Sequence, residues 1–434
     1  MPPADAVSNS VSGLLATPSA ASSPLFDGLI GPIIPGFFGV DELSLAILIG
    51  LAALGALLIL STPATGDFFR YLFMLLFFLT CALGVITATH VVTFFVAWEI
   101  TSLFAWGIGQ IKGLPDDGAE EGVVPYHAAG ALGSFAMLLG LGLFAIDGHG
   151  LALAPLPATA RLGPAPYLIL VGIILKTFGI LSEGWQLRPG RRFTIAGATL
   201  AGVGVLVVGL YPFFRFFGPV LGPVSNWRST ALLAMGILTI LAALAALGEA
   251  DYRRALSYGA FSQFALLGTV YLVGSPAATT AAVIGGIADA FAFTGLFLCL
   301  SAAEEATAEV FLPRVGGLAQ RLPITASLFA VCAFSILGLP PLGGFAADQL
   351  IGVAAQTGGF LPIFWMVVIG LTLLYLARLF VSIFLGELHG PVHPERRLPV
   401  LLLSTGVIGT LVLLGFFATD LLALLAPAAR AMTG

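Results

Sequence analysis

Long apolar runs, separated by short polar or Pro/Gly-rich breaks, follow one another along most of this 434-residue chain. A helix that crosses a bilayer needs about 20 predominantly apolar residues, and the runs have about that length. The pattern therefore predicts an all-α polytopic membrane protein with about 12 transmembrane helices. The predicted spans are 43–61, 70–88, 91–111, 126–147, 165–187, 195–216, 229–248, 255–273, 278–301, 322–355, 360–386 and 397–425.

Two of these spans carry signals of an interrupted helix. The span 322–355 is too long for one straight membrane helix and contains LGLPPLGGF at 337–345. Proline and glycine together predict a break near mid-membrane, which is stable only where protein or water satisfies the freed backbone groups. The span 165–187, which holds a lysine and two glycines in its second half, is a candidate for a second break.

The positions of the two breaks indicate an internal repeat. Spans two to six and seven to eleven form two sets of five, about 70–216 and 229–386, and each set has its interrupted helix in fourth place. An offset of five spans reverses the direction across the membrane, so the sets are predicted to be inverted repeats. Secondary transporters use this arrangement, with broken helices at the ion site.

The remaining segments are short. Residues 1–40 are rich in Ser, Pro, Ala and Gly, and we expect an irregular stretch that ends in a short interfacial or re-entrant piece at 25–38. Lys and Arg are absent from this segment, so it lacks the basic start of a secretory signal. Residues 41–425 are predicted to form a single transmembrane domain, followed by a tail at 426–434.

Basic residues are unevenly divided between the two predicted faces. Short loops rich in Lys and Arg face the cytoplasm, and the even span count then places both termini outside, in the periplasm if the protein lies in an inner membrane. The basic residues on the cytoplasmic side are Lys112, Arg188, Arg191, Arg192, Arg253, Arg254, Arg314, Arg321, Arg396 and Arg397. The opposite side receives Arg161, Arg228 and Arg430.

Composition narrows the classes of function. Charged residues make up 9% of the chain, against about 25% in soluble domains, so the lipid bilayer is the expected surrounding. No basic patch suggests a nucleic-acid partner. The three scattered cysteines have no CxxC spacing, and no histidine pair lies at i, i+4 within a span, so neither a metal centre nor a redox cofactor is predicted. Motifs of hydrolases and nucleotide-binding enzymes are absent, which disfavours a stand-alone enzyme.

Charged residues within the spans are the candidate functional groups. Lys176, one of only two lysines, lies centrally in the fifth span, and Glu99 lies in the third. A charge at the bilayer centre costs at least roughly 2.5–3.5 kcal/mol on the insertion scale and is functional by default. A buried carboxylate and ammonium hold each other charged, whereas loss of the pairing favours the neutral amine, which can release a proton. The alternative is a fixed salt bridge between helices.

Three further acids within the predicted spans are candidates. Asp348 follows the break in the tenth span, and Asp289 lies in the ninth, in IGGIADAFAF. Asp289 has an alternative interpretation, in which it caps a helix break or lies at a wetted interface. Glu183, near the cytoplasmic end of the fifth span, could instead extend to the interface beside Arg188.

Several of these residues fall in motifs that resemble one family. They resemble the antiporter-like membrane subunits shared by respiratory complex I, Mrp cation/proton antiporters and energy-converting hydrogenases, over about residues 40 to 390. EADYRRALSYGAFSQFALL is the most specific match, because it follows the family's D-x-K-R-L-L-A-Y-S-S-I-S-Q signature almost in register. The matching blocks are WEITSL (98–103), LKTFGILSEGWQL (175–187), EADYRRALSYGAFSQFALL (249–267), GGLAQRLPIT (316–325) and LGLPPLGGF (337–345).

The resemblance implies a row of buried ionisable groups along the membrane midplane. Glu99 matches the family's glutamate on the WE helix, Lys176 matches the lysine of the first broken helix, and Asp348 occupies the position on the second broken helix. In such a subunit protons are thought to pass through the membrane, driven from a neighbouring redox module. The implied partners are other membrane subunits, including further antiporter-like ones, and a redox or other peripheral module. The subunit itself binds no cofactor.

Departures from the family pattern concern the second half of this row. Lysines common in the family align near Val207 and Thr294 of this chain, and Asp289 lies close to the position of a family histidine. The family has about 14 helices, and we expect this chain to lack the first two. A proton path between Lys176 and Asp348 would then need water or hydroxyl, amide or acid groups as a relay. The candidates are Tyr258, Ser262, Gln263 and Glu183.

Three hypotheses remain open from the sequence. The favoured one is a proton-translocating, or Na⁺/H⁺, antiporter-like subunit of a larger complex. In that subunit Glu99 tunes the charge of Lys176, Lys176 donates and accepts the proton, and Asp348 passes it onward. The second is a structural coupling subunit that no longer pumps, which the absent middle lysines favour. The third is the membrane subunit of an inorganic-carbon uptake complex.

Overall fold

A computed structural model describes most of the chain. Several short segments lie outside it, including residues 1–30 and 183–194. The described residues are 31–34, 36–61, 68–109, 124–157, 159–160, 162–182, 195–222, 224, 226–307, 309–356, 359–388, 392–393 and 397–431.

A small β-hairpin precedes the first helix. Strand β1 (Gly31–Ile34) pairs antiparallel with β2 (Phe38–Val40) around Gly36, whose φ of 82° suits a glycine. The hairpin rests on the end of the second helix, where the N–H of Thr89 donates to the carbonyl of Phe37 at 2.9 Å. The end of the segment predicted as interfacial or re-entrant is therefore a pair of strands, a form that the sequence prediction did not include.

The described residues of the first half form six apolar helices. Helix α6 covers residues 195–220 and includes two stretches with the wider π-type turn, Leu200–Leu210 and Phe216–Val220. A further π-type turn, Ala145–His149, follows α4. The five helices before α6 are α1 (Glu42–Ser61), α2 (Phe68–Thr87), α3 (Val91–Gly109), α4 (Val124–Phe144) and α5 (Ala165–Ser182).

In the second half, the part of the chain that the structure describes contains eight helices. Short 3₁₀ turns, Leu312–Arg314 and Leu318–Gln320, connect its third and fourth helices. The helices are α7 (Arg228–Gly248), α8 (Tyr252–Val273), α9 (Pro276–Thr307), α10 (Pro323–Ile336), α11 (Gly343–Ala355), α12 (Leu361–Phe384), α13 (Arg397–Phe416) and α14 (Ala418–Ala431).

The helices match a multi-pass membrane protein. Within the described residues, nine helices are long and apolar enough to cross a membrane, and three shorter apolar helices accompany them. Helix α6 is buried over its whole apolar window, and α8 and α9 are 89% buried there, whereas α2, α3, α4, α7 and α12 are between 28 and 39% buried. Helices α6, α8 and α9 therefore form the centre of the bundle, and the less buried helices present apolar side chains to lipid. The all-α polytopic prediction is confirmed.

The predicted break in the tenth span is confirmed as well. Helix α10 ends at Ile336 and α11 begins at Gly343. Gly338 has a φ of 66°, and a Cβ atom there would collide with the carboxylate of Asp348. Glycine is thus required at this position both by the backbone conformation and by the closeness of the acid.

The described helices match the last and the fifth predicted spans only in part. The prediction of one helix at 397–425 is wrong in detail, because a turn at Phe417 divides this segment into α13 and α14. Beside that turn, Gly415 packs so tightly against the carbonyl of Pro341 that a side chain would not fit. The fifth span is a continuous helix as far as Ser182, and the rest of it lies outside the described residues. The inverted repeats stay a prediction.

Candidate functional site

Lys176 and Glu99 lie together in the first half of the bundle. The Lys176 ammonium donates to both carboxylate oxygens of Glu99, at 3.0 and 3.2 Å, and to the hydroxyl of Ser134 at 2.5 Å. Ser134 in turn donates to Glu99 at 3.0 Å, which closes a ring of three side chains from α3, α4 and α5. The lysine side chain is 7% exposed and the glutamate 31%. The amine is therefore buried, while its carboxylate partner reaches the surface of the isolated subunit.

A tryptophan covers the other side of the amine. The Lys176 Nζ atom lies 5.0 Å from the centroid of the Trp98 ring, within the range of a cation–π interaction. The indole N–H of Trp98 donates to the backbone carbonyl of Val208 at 3.0 Å and so fixes the ring against α6. The WE pair of the sequence motif thus supplies two different contacts to the same lysine, one ionic and one aromatic.

Glycines allow α4 to approach α5 closely enough for these contacts. A Cβ atom on Gly133 would lie 2.9 Å from the backbone nitrogen of Lys176, and one on Gly172 would lie 2.8 Å from that of Met137. Small residues are the usual means of bringing two membrane helices together. Because Gly133 is the neighbour of Ser134, the close approach also places the serine hydroxyl beside the lysine.

The acids predicted for the second half lie at a separate crossing of helices. Asp289 is on α9 and Asp348 on α11, and the two helices touch where a Cβ on Gly285 would lie 3.3 Å from the Cβ of Ala347. Among the hydrogen bonds and ion pairs of the described residues, neither acid contacts the Lys176 cluster. The structure thus brings Glu99 and Lys176 together and places Asp289 and Asp348 elsewhere, on two helices that touch each other.

The candidate relay residues differ in their surroundings. Gln263 on α8 is buried and donates to the hydroxyl of Thr372 on α12 at 3.0 Å. Ser262 is also buried, and its hydroxyl donates to the backbone carbonyl of Thr239 at 2.8 Å. Tyr258 is partly buried on the same helix, and Glu183 lies outside the described residues. The roles of all four in proton transfer stay predictions.

A second ion pair, between Asp41 and Arg215, was not singled out from the sequence. Arg215 in α6 is buried, and its guanidinium donates to the two carboxylate oxygens of Asp41 at 2.6 and 2.9 Å. It also donates to Ser44 at 2.7 Å and to the Tyr211 hydroxyl at 2.9 Å. Arginine is usually the residue of such bidentate pairs. An arginine inside the aromatic run YPFFRFF was the available signal, since a charge there needs a partner.

The ion pair with Arg215 lowers the pKa of the Asp41 carboxyl. Partial burial alone would raise the pKa of the Asp41 carboxyl, but the charge and hydrogen bonds of Arg215, with those of Ser44, hold the pKa below its usual value. Beside the pair is a cavity of about 470 Å³ between the hairpin, the end of α2, residues 152–154 and Arg215. Asp41 is therefore ionised at neutral pH and faces this cavity.

The motif EADYRR forms a third charged cluster, at the start of α8. Asp251 caps the helix by accepting from the N–H of Arg253 at 2.8 Å, and its carboxylate also pairs with the Arg253 guanidinium at 3.0 Å. The same guanidinium lies 3.6 Å from Glu304 near the end of α9. All three side chains are buried, so the cluster ties the beginning of α8 to the end of α9.

A comparison with protein-family models identifies the family of the chain, because one model matches most of the helical bundle. The model of the NADH:quinone oxidoreductase/Mrp antiporter transmembrane family matches residues 88–375, which include both the Lys176 cluster and the two acids of the second half. The chain belongs to this family. The resemblance noted in the sequence motifs is thereby confirmed.

Individual relatives of this antiporter-like chain lie in two groups of complexes. NADH-quinone oxidoreductase subunit L of Mycobacterium tuberculosis is 26% identical over 396 residues, which cover 85% of this chain and 61% of the relative. Na⁺/H⁺ antiporter subunit A1 of Staphylococcus aureus is 24% identical over 425 residues, which cover 87% of this chain and 52% of the relative. The chain thus spans between half and two thirds of the length of these relatives.

Solved structures share the fold. The Mrp complex of Dietzia sp. contains a chain with a TM-score of 0.81 at 20% identity, covering 99% of this chain and 94% of that one. Respiratory complex I of Thermus thermophilus contains one with a TM-score of 0.74 at 21% identity, covering 93% and 89%. Both likenesses show that this antiporter-like chain has the fold of these subunits.

Proposed function

We propose that this chain is the antiporter-like, proton-translocating membrane subunit of a multi-subunit complex, and that Lys176 is its central proton carrier. The observation that carries the proposal is the buried Lys176 ammonium, which is held 3.0 Å from Glu99 and shielded from lipid by Trp98 and Ser134. A membrane helix keeps a charge at such a position at a cost, and most often for transport.

The geometry of the pair supports a switch between two charge states. With Glu99 in contact, the ammonium is stabilised by the carboxylate and by the face of the Trp98 ring. When a charge on a neighbouring subunit draws Glu99 away, the amine loses its anionic partner in a region of low dielectric and releases its proton. The partial exposure of Glu99 at the subunit surface supports such control, because an adjacent charged subunit can reach it.

Asp348 would accept protons in the second half, with Asp289 beside it. Tyr258, Ser262, Gln263 and Glu183 are the proposed relay residues between the two sites. Gln263 is the best supported of them, because it is buried and its hydrogen bond to Thr372 joins α8 to α12 within the second half. The two halves would be the inverted repeats that the sequence predicts.

The proposal extends to the partner subunits of the chain and to the membrane in which it lies. The similar chains belong to NADH-quinone oxidoreductase and Na⁺/H⁺ antiporter assemblies, and we infer that this chain joins further antiporter-like membrane subunits and a redox or other peripheral module. Its own chemistry is ion movement, with protons favoured over Na⁺ because an amine carries protons. The expected location is an inner membrane, with both termini on the periplasmic side.

The test is the formation of a pH gradient in everted membrane vesicles that contain the whole complex. The variant Lys176→Met keeps the length and apolar character of the side chain but removes the proton-carrying amine, and we expect gradient formation to fall at least tenfold. Lys112→Met is the matched control, because Lys112 is the other lysine of the chain and lies in a predicted loop. Equal gradients in wild type and Lys176→Met would remove the assigned role.

One observation favours the alternative of a coupling subunit that does not pump. Aromatic rings pack where α5 meets α8, with Phe178 and Phe261 at 5.5 Å and Phe261 and Phe264 at 5.8 Å between ring centroids. An apolar barrier of this kind interrupts a water path unless it opens. A high-resolution map of the complex with ordered water across these rings would argue for the pump, and closely packed rings in every functional state would argue for the coupling subunit.

A further inference from the structure

The cavity beside the β-hairpin has polar groups on its walls. It has a volume of about 470 Å³, and Asp41, Arg215 and Thr89 line it together with residues of the hairpin and residues 152–154. The Asp41 side chain is 42% exposed, and the Thr89 hydroxyl is buried without a hydrogen bond to the described residues. Buried hydroxyls are nearly always satisfied by protein or water. A cavity of this size has room for on the order of ten water molecules, and its polar walls favour water over lipid.

A chain of hydrogen bonds leads from this cavity into the bundle. The Arg215 guanidinium, which pairs with Asp41, also donates to the Tyr211 hydroxyl at 2.9 and 3.0 Å. Ser44 joins the same group, since its N–H donates to Asp41 at 2.9 Å and its hydroxyl lies 3.4 Å from that of Tyr211. Tyr211 is fully buried, so the cluster runs from a carboxylate at the cavity to a hydroxyl inside the bundle.

The inner end of this cluster lies on the same stretch of α6 as the contacts of the lysine site. Tyr211 comes three residues after Val208, whose carbonyl accepts from the indole N–H of Trp98 at 3.0 Å. The Trp98 ring in turn lies 5.0 Å from the Nζ atom of Lys176. About one turn of α6 therefore separates the tyrosine from the carbonyl that fixes the cover of the amine.

The α6 backbone is also held against the lysine helix at this point. A Cβ atom on Gly209 would lie 2.6 Å from the hydroxyl of Thr177, which follows Lys176 directly on α5. The π-type turns of Leu200–Leu210 end at the same place, and wide turns of this type occur often at functional sites. Tyr211 is thus positioned close to the residues that surround the amine.

We infer that this cavity is the aqueous mouth of the Lys176 site, and that Tyr211, Ser44 and Asp41 relay protons between the lysine and the water in the cavity. The inference rests on the proposed function and adds the surface at which Lys176 exchanges protons with water. Because the hairpin precedes the first span, the predicted topology places this mouth on the outer face.

Each step of the relay breaks one O–H bond as another forms. In the outward direction the Tyr211 oxygen takes up a proton while its own hydroxyl proton passes to the oxygen of Ser44, whose proton passes in turn to the carboxylate of Asp41. Although burial acts to raise the pKa of Asp41, Arg215 keeps that pKa low, so the acid gives the proton up to the cavity water. The reverse sequence carries a proton inward.

Trp98 controls access between the lysine and the relay. Its ring covers the amine, and its N–H is bound to Val208 near the tyrosine. Trp98 also precedes Glu99 directly on α3, so a shift of α3 that draws Glu99 away from Lys176 moves the indole as well. The amine then loses its proton to water admitted beside the displaced ring, and that water passes a proton to Tyr211.

Cysteine labelling tests the mouth in the whole complex. The three native cysteines are replaced by alanine, and Thr89→Cys places a thiol in the cavity wall. Open membrane fragments are treated with a membrane-impermeant cationic methanethiosulfonate, resealed as vesicles and assayed for pH-gradient formation. We expect the thiol to react, gradient formation to fall several-fold and dithiothreitol to restore it. Phe135→Cys is the control, because this side chain is 69% exposed on the apolar surface of α4 and should not react.

Two results of the labelling would overturn the inference. A Thr89→Cys thiol that does not react would show that water does not reach the cavity. A labelled complex that forms the gradient of the unlabelled one would show that protons do not pass through the cavity. The label is added to the folded complex and compared with the same vesicles before treatment, so neither result depends on how well the variant folds.

Tyr211→Phe tests the relay, because it removes the hydroxyl and keeps the ring. We expect the driving reaction to continue while the number of protons moved per turnover falls several-fold. Tyr71→Phe is the matched control, since both tyrosines join α2 to α6 through a buried hydroxyl, Tyr211 to the carbonyl of Ile86 and Tyr71 to Thr199. Equal proton numbers in the two variants would overturn the relay.

The variant Lys176→Met separates this inference from the proposed function. If Lys176→Met lowers the gradient while labelled Thr89→Cys keeps it, the mouth is refuted and the proposed function stands. A wild-type gradient in Lys176→Met refutes the proposed function and the route from the lysine, whereas the reaction of the Thr89→Cys thiol still decides whether water fills the cavity.

Discussion

Lys176 shows how the molecule keeps a charge inside the membrane. An unpaired ammonium at the bilayer centre is costly, by roughly 2.5–3.5 kcal/mol on the insertion scale. The carboxylate of Glu99, the hydroxyl of Ser134 and the ring of Trp98 surround the amine on three sides and offset that cost. Removing one of these partners should therefore affect both stability and ion movement.

Glu99→Gln tests the carboxylate. We expect the free energy of unfolding to fall by about 1–3 kcal/mol, because the variant leaves a buried ammonium without its counter-charge, although partial exposure of Glu99 moderates the loss. Thermal unfolding of the detergent-purified complex measures this, and vesicle pH gradients should fall as well. Glu309→Gln is the control, since Glu309 pairs with an Arg314 that is 72% exposed and should contribute less than about 0.5 kcal/mol. Equal losses in the two variants would contradict the assignment.

Asp41 gives a prediction for pH. Its pKa is lower in the folded protein, so the stabilisation by the Asp41–Arg215 pair is complete above the unfolded pKa of about 3.9 and is lost as the pH falls through the folded value. The difference in unfolding temperature between wild type and Asp41→Asn should thus be largest near neutral pH and shrink below about pH 4. A difference that is constant or grows in acid would show that the pair does not stabilise the fold.

At the scale of elements, the close contact between α4 and α5 decides whether the site exists. The two helices touch through Gly133 and Gly172, and the Lys176–Ser134 hydrogen bond depends on that distance. A side chain at either glycine pushes the helices apart, because backbone atoms of the partner helix stand in the way. The site is therefore as sensitive to helix separation as it is to its own charged residues.

Gly133→Val tests the helix contact. Overpacking at a close helix crossing costs about 1–3 kcal/mol, and the displaced Ser134 should weaken gradient formation. The control is Gly142→Ala on the same helix, where a Cβ would meet nothing within 4 Å. Thermal unfolding and vesicle gradients are measured for both variants. If the two behave alike, the contact is not what positions Ser134.

The sequence predicts some elements better than others. Helix positions follow from the apolar runs, and the break between α10 and α11 follows from proline and glycine, which remove or weaken backbone hydrogen bonding. The turn at Phe417 lacks proline, and the neighbouring Gly415 packs against the carbonyl of Pro341 in a distant part of the chain. Tertiary contacts of this kind leave no local pattern in the sequence.

The residues of the candidate site were likewise predictable from the sequence only in part. Glu99 and Lys176 are predictable because charges are rare in apolar spans and fall in a known motif. Ser134 is not, since a serine in a membrane helix usually bonds to its own backbone, and it also accepts from Lys176 only because Gly133 brings α5 close. Arg215 was not singled out, because it lies near the end of a predicted span, where a charge ordinarily reaches water.

At the scale of the whole molecule, the two candidate proton-transfer sites lie in different halves, around the central helices α6, α8 and α9. The first is a carboxylate–ammonium pair, and the second is a pair of acids. If one proton path joins them, the sites act in series, and blocking either one stops the flow. If the two sites serve separate paths, each path carries part of the proton flow independently of the other.

A double variant distinguishes these arrangements. In a series path, Lys176→Met with Asp348→Asn should reduce the initial rate of gradient formation no further than Lys176→Met alone, because the effects of sites in one path are not additive. Lys176→Met combined with Asp420→Asn provides the comparison for a second unrelated substitution. Rates that fall by the product of the two single effects would indicate two independent paths.

The most direct measurement is the number of protons moved per turnover of the driving reaction in the reconstituted complex. For Lys176→Met the account predicts that the driving reaction continues while this number falls, because this subunit no longer contributes its protons. Lys112→Met should keep the wild-type number. A wild-type number in Lys176→Met would contradict the central claim that the buried amine carries protons.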